Sequence, residues 1–530
     1  MKQTRLEYTE CGDDMPGNDD VRNDVVAEGC DGFARLLRAE FTKFRTVRAW
    51  MIALCATAVV LVLLSFVSAL ASRATNPAVP TGPDGEAVTD TYMFVHQTLV
   101  GDGTLTAKVA ALSGAFAPPQ TSGGGIKVSS QSQPNSQLQP GLAPWSKAGI
   151  ILEPDTNQGI RYAAVMVTGS HGVRMQYNYT HDSPELAGPA GPSSARWLRL
   201  TRVGDIINGY YSTDGAHWTE TGTARLASLP HTVQIGLFVT SPVYFAAGDT
   251  TGAPSVATAT FDNISTHGDL PDRTWTADAI AGLYTTVPSA STWQQRTADA
   301  FTISGSGDIA PLVGGEGPAT HWAGASIVNG TIVALLMVIV LAALFVTSEY
   351  RRGLIRTTFA ASPRRGPVLA AKATVAGTLT FAAAATATAI AELITRHVLA
   401  ANGNYVFPQS GPDLARVIIG TGLLLGLAAA LTVALGAMLR RSAGTVAAGI
   451  ALLVLPGVLG SESGNWLMQL TPTAAFAIQA TLPRSNLVTG AYTPPNGYFP
   501  ISPWAGLAVL AAYTAVAMGA ATWLIRRRDA

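Results

Sequence analysis

Trp50 to Leu70 reads WMIALCATAVVLVLLSFVSAL, with no formal charge along it. About twenty apolar residues match the hydrocarbon thickness of a bilayer. Lipid offers no partner to backbone polar groups, so such a run has to be a helix. Five further runs follow late in the chain: Ile327–Thr347, Ala373–Ile394, Val417–Leu439, Thr445–Leu459 and Trp504–Ile525. The fifth of the six runs is short and contains Pro456, which predicts a kinked span or a partly re-entrant one. Charged residues make up 13% of the sequence, against about 25% in soluble domains, as six spans require. "SALAS" (68–72) looks like a signal-peptidase site. The apolar run before it is long for a signal sequence and follows nearly fifty residues, so an uncleaved helix is expected.

Basic residues punctuate the spans. Arg35, Arg38, Lys43, Arg45 and Arg48 precede the first. Arg351, Arg352, Arg356, Arg364, Arg365 and Lys372 lie around the second-to-third connection. Arg440 and Arg441 separate the fourth and fifth spans, and Arg526, Arg527 and Arg528 follow the sixth. These segments fall at alternate helix ends. Short Arg- and Lys-rich loops stay in the cytoplasm, so both termini are expected inside. Residues 73–323 are then extracytoplasmic.

That long segment has a different character. Period-two stretches recur between turn signals: TLTAKVAAL (104–112), KAGIILE (147–153), RYAAVMVTG (161–169), GVRMQYNY (172–179), RWLRLTRV (196–203), DIINGYYS (205–212), HTVQIGLFVT (231–240) and ATATFDNIS (257–265). Such alternation predicts an antiparallel sandwich. Asp214-Gly215 marks a hairpin turn. Residues 115–144, rich in Pro, Gln, Ser and Gly, read as a disordered excursion. The three cysteines, Cys11, Cys30 and Cys55, all precede this segment, so no disulfide framework serves it.

Residues 1–31 are polar and are expected to be a disordered cytoplasmic tail. Residues 32–48 place Phe33, Leu36, Leu37, Phe41, Phe44 and Val47 at helical spacing opposite a basic face. This predicts an amphipathic helix lying in the membrane interface. The first span occupies 49–72 and the remaining helices 324–528. The fold class is thus a multi-domain membrane protein: an α-helical bundle of six transmembrane helices with an inserted all-β antiparallel sandwich of jelly-roll, concanavalin-like type.

No phosphate-cradling loop, zinc-protease helix or nucleophile elbow occurs in the sequence. No catalytic residue, metal site or cofactor is expected in this chain, and no nucleic-acid partner. Glu392 and Arg396 are spaced to pair inside the third span. Gly422 and Gly426 form a G-x-x-x-G suited to close helix packing. In the sandwich, Trp145, Trp197, Tyr210, Tyr211 and Trp218 are candidates for stacking on sugars, with core packing as the alternative. Among Glu153, Asp155, Asp182, Asp205, Asp214 and Glu220 no catalytic carboxylate pair stands out.

AEFTKFRTVRAWMIAL (39–54) and SEYRRGLIRTTFAASPRRGPVLAAK (348–372) resemble bacterial ABC-transporter permeases of the type-2 exporter class. The resemblance implies a membrane subunit that pairs with a second permease copy, in a homo- or heterodimer, and docks a separate ATPase, on which ATP is bound. It implies an interfacial connecting helix over 33–48. It also implies a coupling element in the loop 349–372, carried by Glu349, Arg351, Arg352, Gly353, Leu354, Ile355, Arg356, Phe359, Arg364 and Arg365. NWLMQLTPTAAFAIQA (465–480) matches that class's re-entrant element. The long insertion departs from its short first loop. WSKAGIILE, YAAVMVTG, RWLRLTRVGDIINGYYSTDGAHW and IGLFVTS resemble concanavalin-like and laminin-G-like sandwiches, many of which bind glycans. FTISGSGDIAP (301–311) adds a further strand. Three readings follow: a permease of the bacterial plasma membrane, a membrane-anchored glycan-binding or sensing protein, and a surface glycoside hydrolase.

Overall fold

The computed structural model describes residues 32–72, 79–117, 138–184, 196–244, 253–280, 292–297, 299–313, 323–351, 353, 365–463, 466–482, 484–488 and 497–527. The tail 1–31 and most of the connection after the second span therefore lie outside the described residues, as do 118–137.

Helix α1 (Phe33–Thr46) is amphipathic and buries Glu40 and Phe44. The chain bends at Val47 into α2 (Arg48–Ala71). After the insertion come α3 (Ala323–Arg351), α4 (Arg365–Ala401), α5 (Gly411–Leu439), α6 (Ser442–Leu453), α7 (Leu455–Ser463), α8 (Trp466–Leu470) and α9 (Pro503–Arg527). Six stretches are long and apolar enough to cross a membrane among the described residues. The short fifth one is kinked: α6 breaks at Val454 and α7 restarts beside Pro456, whose ring cannot continue the hydrogen-bond ladder. Helix α5 starts where the Ser410 hydroxyl accepts the Asp413 amide. Its Gly422 and Gly426 lie against Phe381 and the Gly377 carbonyl of α4, so this small-residue motif packs within the chain.

The stretch expected to be re-entrant forms α8 and a 3-10 helix, Pro472–Gln479, every residue of which is buried. Two glycines admit it. A Cβ on Gly506 of α9 would lie 2.1 Å from the Ala474 carbonyl oxygen, and one on Gly420 of α5 2.1 Å from Ile478. The Gln479 amide then donates to Thr331 and Thr421 at 2.9 Å each, tying the segment to α3 and α5. Gly506→Ala is expected to lower stability by about 1–3 kcal/mol, because overpacking against backbone outweighs the better helix propensity. Gly519→Ala on the same helix meets nothing within 4 Å and should be neutral or mildly stabilising. Thermal unfolding of the two detergent-solubilised variants checks this; equal midpoints would contradict the tight seat.

The insertion is a 14-stranded antiparallel sheet folded into two layers. Strand β2 (Tyr92–Phe116) belongs to both. Its first half pairs with β11 (Thr232–Thr240) and β13 (Thr276–Ile280). Beyond β11 the first layer continues through β4 (Lys147–Glu153), β5 (Ala163–Thr168), β6 (Val173–Tyr177) and β7 (His181–Pro184). The second half of β2 pairs with β8 (Arg196–Val203) and β12 (Ser255–Asp269). That layer extends to β9 (Ile206–Ser212) and β10 (Thr219–Arg225) on one side. On the other it extends to β15 (Ala300–Gly305) and β14 (Thr292–Thr297). Val95, Leu99, Leu105, Ile150, Leu200 and Phe261 are among the side chains filling the space between layers.

At Gly101-Asp102-Gly103 the chain passes from one layer to the other within β2, with φ at Gly101 of +68°. Two sequence expectations change here. Both flanks of the excursion expected over 115–144 belong to the sheet, Ala115 and Phe116 pairing with β3 (Gln139–Pro140) and with β12, while 118–137 lie outside the described residues. The Asp214-Gly215 pair sits in a longer loop than a two-residue hairpin. Tyr211 opposes Thr219, and Asp214 accepts the amides of Ala216 and His217.

The outer face of the first layer is also covered. Tyr92, Phe94, Tyr162, Met166, Tyr179 and Phe238 pack under β1 (Val88–Asp90) and β16 (Ile309–Pro311). Lys147, fully buried, pins this cover through Asp308 at 2.7 Å. The sandwich meets the bundle through Ala87 and Leu312 against Phe407. Within the bundle, Asn402 and Asn404 donate to carbonyls at the end of α2.

Candidate functional site

Described residues of the basic segments come together at the end of the bundle opposite the sandwich. There the loop between α3 and α4 leaves and returns. Lys372, on α4, is 2% exposed. Its ammonium donates to Glu40 Oε2 of α1 at 2.7 Å and to Glu349 Oε1 of α3 at 2.8 Å. Lys43 of α1 completes the cluster, at 2.8 Å from Glu40 Oε1 and 3.6 Å from Glu349 Oε1. Two cations thus alternate with two carboxylates, and three helices share each other's charges.

The surroundings explain the pairing. The Lys372 ammonium stands 4.6 Å from the ring centroid of Phe345, which meets Phe44 and Trp50 edge-on at 5.3 and 5.9 Å. Aromatic walls exclude water, and a buried ion is tolerated only with partners. Burial raises the Glu40 carboxyl, but Lys372 and Lys43 outweigh it, so Glu40 titrates below its ordinary value. Burial lowers Lys43, and Glu40 and Glu349 overcome that too, leaving it raised. Glu349 Oε2 is buried with no hydrogen-bond partner among the described residues.

The loop's two roots are thereby tied down: Glu349 and Lys372 flank it in sequence and meet at Glu40. Arg365 adds a hydrogen bond to the Ile525 carbonyl of α9 at 3.1 Å, and the Arg440 guanidinium stacks 5.4 Å from the Tyr350 ring. Arg351 and Gly353 are exposed. Arg352, Leu354, Ile355, Arg356, Phe359 and Arg364 lie outside the described residues. Glu40, Lys43 and Lys372 were not singled out as a group by the sequence. The available signal was an acid and a base one helical turn apart, at 40 and 43, on an otherwise basic helix.

Elsewhere, Glu392 is buried and its Oε2 lies 3.7 Å from Arg396 Nε, so the expected pair forms, loosely. Arg396 also donates to the Phe407 carbonyl, at the sandwich end of the bundle. Of the five aromatic candidates of the sandwich, Trp197 and Trp218 line one cleft, while Trp145 and Tyr211 lie elsewhere. Trp145 is 3% exposed and stacks on His171 at 3.9 Å, inside the domain. Tyr211 packs on the interlayer core, because it opposes Leu198 on the inward face of its strand. Trp197, Tyr210 and Trp218 remain accessible near the outer face of the second layer.

The acids behave differently from the sequence reading as well. Glu153 is buried beside Asp90, which composition did not mark. Tyr92 donates to Glu153 Oε2 at 2.5 Å, and Tyr179 and the Gly159 amide donate to Asp90 Oδ2 at 2.8 Å each. Burial pushes Asp90 up to about 6, against those hydrogen bonds, and holds Glu153 well above the usual carboxylate range. Glu153 is only 1% exposed, so these carboxylates are sealed by their own tyrosines.

No family model matches this sequence, and no curated protein does. Among solved structures, this chain is similar to a functionally unknown protein from Saccharomyces cerevisiae, at 13% identity over 38% of this chain and 85% of that one, with a TM-score of 0.22. Scytalido-glutamic peptidase with a transition-state analogue matches at 9% identity over 41% and 98%, with a TM-score of 0.25. A GH43 protein from Bacillus licheniformis matches at 17% identity over 32% and 28%, with a TM-score of 0.17. Likeness at this level carries no information on activity.

Proposed function

We propose that the chain is the transmembrane permease subunit of an ATP-binding cassette exporter in a bacterial plasma membrane, driven by a separate ATPase and working as a pair with a second permease copy. Residues 73–323, a concanavalin-like sandwich, stand outside the membrane; the loop 349–372 faces the ATPase. The observation that carries this reading is the buried cluster of Lys372, Glu40, Glu349 and Lys43 at the loop's roots. Pulling Lys372 away strands the buried carboxylates of Glu40 and Glu349, at several kcal/mol. The two roots and α1 therefore move as one body. Force applied to the loop by nucleotide closure of the ATPase reaches α3 and α4 together instead of fraying their ends. An anchor needs neither six spans nor tied loop roots.

The test is purification of the tagged chain from native membranes in mild detergent, with ATP hydrolysis measured on the eluate. Co-purifying ATPase is expected. Phe359→Ala should reduce it about tenfold or more if Phe359 is an interface hot spot, while Arg364→Gln does less because neighbouring charges remain. An ATPase-free eluate from the wild type rejects the transport reading. Full retention by Phe359→Ala removes the loop's docking role alone.

A further inference from the structure

We infer that the outer face of the second sandwich layer carries a binding groove for an acidic polysaccharide. A cleft of about 510 Å³ runs across β2, β8 and β12. Its floor is a row of hydroxyls: Thr104, Thr106 and Thr201, with Thr104 donating to Thr201 at 3.1 Å. Trp197 and Trp218 stand on one side, Ser265 and His267 on the other.

Both indoles are held in place. Gly215 lies flat on Trp197: a Cβ there would come within 2.7 Å of the ring, and the φ of +79° already favours glycine. The Arg199 guanidinium lies 3.8 Å from the centroid of Trp218. Its Nε donates to Thr106 Oγ1 at 3.2 Å. The fork is therefore oriented, while its two terminal nitrogens have no hydrogen bond or ion pair among the described residues. Lys108, 5.9 Å from the Trp197 ring and opposite Asp262 in the strand register, forms no ion pair among the described residues and stands beside the cleft.

The chemistry of this lining selects the ligand. Indole faces stack on the apolar faces of sugar rings. Threonine hydroxyls serve ring hydroxyls. The lining guanidinium of Arg199, without an ion-pair partner, and the absence of a lining carboxylate call for an anionic group, and a planar guanidinium fits a carboxylate with two parallel hydrogen bonds. A uronate-containing chain offers all three features. The inference does not depend on the transport reading, since it concerns the sandwich alone.

The full chain in detergent would be titrated with a short oligogalacturonate, following tryptophan fluorescence and calorimetry. A dextran oligomer of equal length and phosphatidylglycerol vesicles serve as comparators. Binding of the galacturonate is expected, weakening as salt rises. Arg199→Gln should lose about tenfold or more, as removal of a charged hydrogen bond does. Trp218→Ala should lose comparably and Lys108→Gln less, with unfolding midpoints near wild type for this exposed face. Absence of galacturonate binding overturns the inference. So does equal affinity for dextran, undiminished binding by Arg199→Gln with Lys108→Gln, or vesicle binding that depends on the same residues while galacturonate does not bind.

Discussion

Lys372→Met is expected to destabilise the bundle by about 3–5 kcal/mol, the usual consequence of removing one partner from a buried ion cluster. Glu40 and Glu349 are 3% and 8% exposed. Without the ammonium between them they would face each other with only Lys43, itself half-exposed. Methionine fills the aliphatic part of the site, so the loss is one of charge compensation and not of volume. The decisive comparison is the triple neutral variant Lys372→Met, Glu40→Gln, Glu349→Gln. If the cluster is electrostatic, it should recover much of the stability and still impair transport, because the roots are no longer locked to α1. Thermal unfolding in detergent reads the first effect and a reconstituted transport assay the second. A triple variant as unstable as the single one would show that the shape of Lys372, and not its charge, matters here.

Raising the pH from about 4 to above 6 is expected to weaken the sandwich by about 3 kcal/mol through Asp90. In the folded state this carboxyl titrates at about 6, and in the unfolded chain at about 3.9. Below the lower value both states hold the proton and its stabilising contribution is complete. Between the two values only the folded state holds it. The contribution is lost as pH rises through 6, with each pH unit of separation worth about 1.36 kcal/mol. Glu153 and Asp308, raised by the same burial, act in the same direction. Asp90→Asn keeps an oxygen to accept from Gly159 and Tyr179 and removes the titration, so its stability profile should be flatter. Urea denaturation with pulse proteolysis of the sandwich, across pH 4–8, compares the two. Parallel profiles for wild type and Asp90→Asn would reject the assignment.

Some of this molecule was legible residue by residue. Trp50–Leu70 must be a helix if it sits in lipid, because no other backbone arrangement satisfies its own polar groups. The alternation in RWLRLTRV and HTVQIGLFVT specifies strands, because a pleated sheet turns successive side chains to opposite faces. Pro456 announced the kink between α6 and α7, since the lost N–H is a property of the residue itself.

Other features had no local signature. Trp145 and Trp197 look alike in sequence, yet one is sealed against His171 and the other lines an open groove. TLTAKVAAL (104–112) reads as a short strand, but β2 spans Tyr92–Phe116, because each layer offers that strand neighbours on both edges. Glu40 lies 332 positions from Lys372, and Glu349 and Lys372 stand on opposite sides of a long loop, so each alone reads as one charge on a helix end. Helical and strand periodicity, bilayer-length runs and turn chemistry are short-range, so the sequence by itself determined the elements and their order. Coulomb attraction and burial depend on distance in space. Only the tertiary structure, by folding α1 back onto the roots of the loop, decided that these three charges are one site.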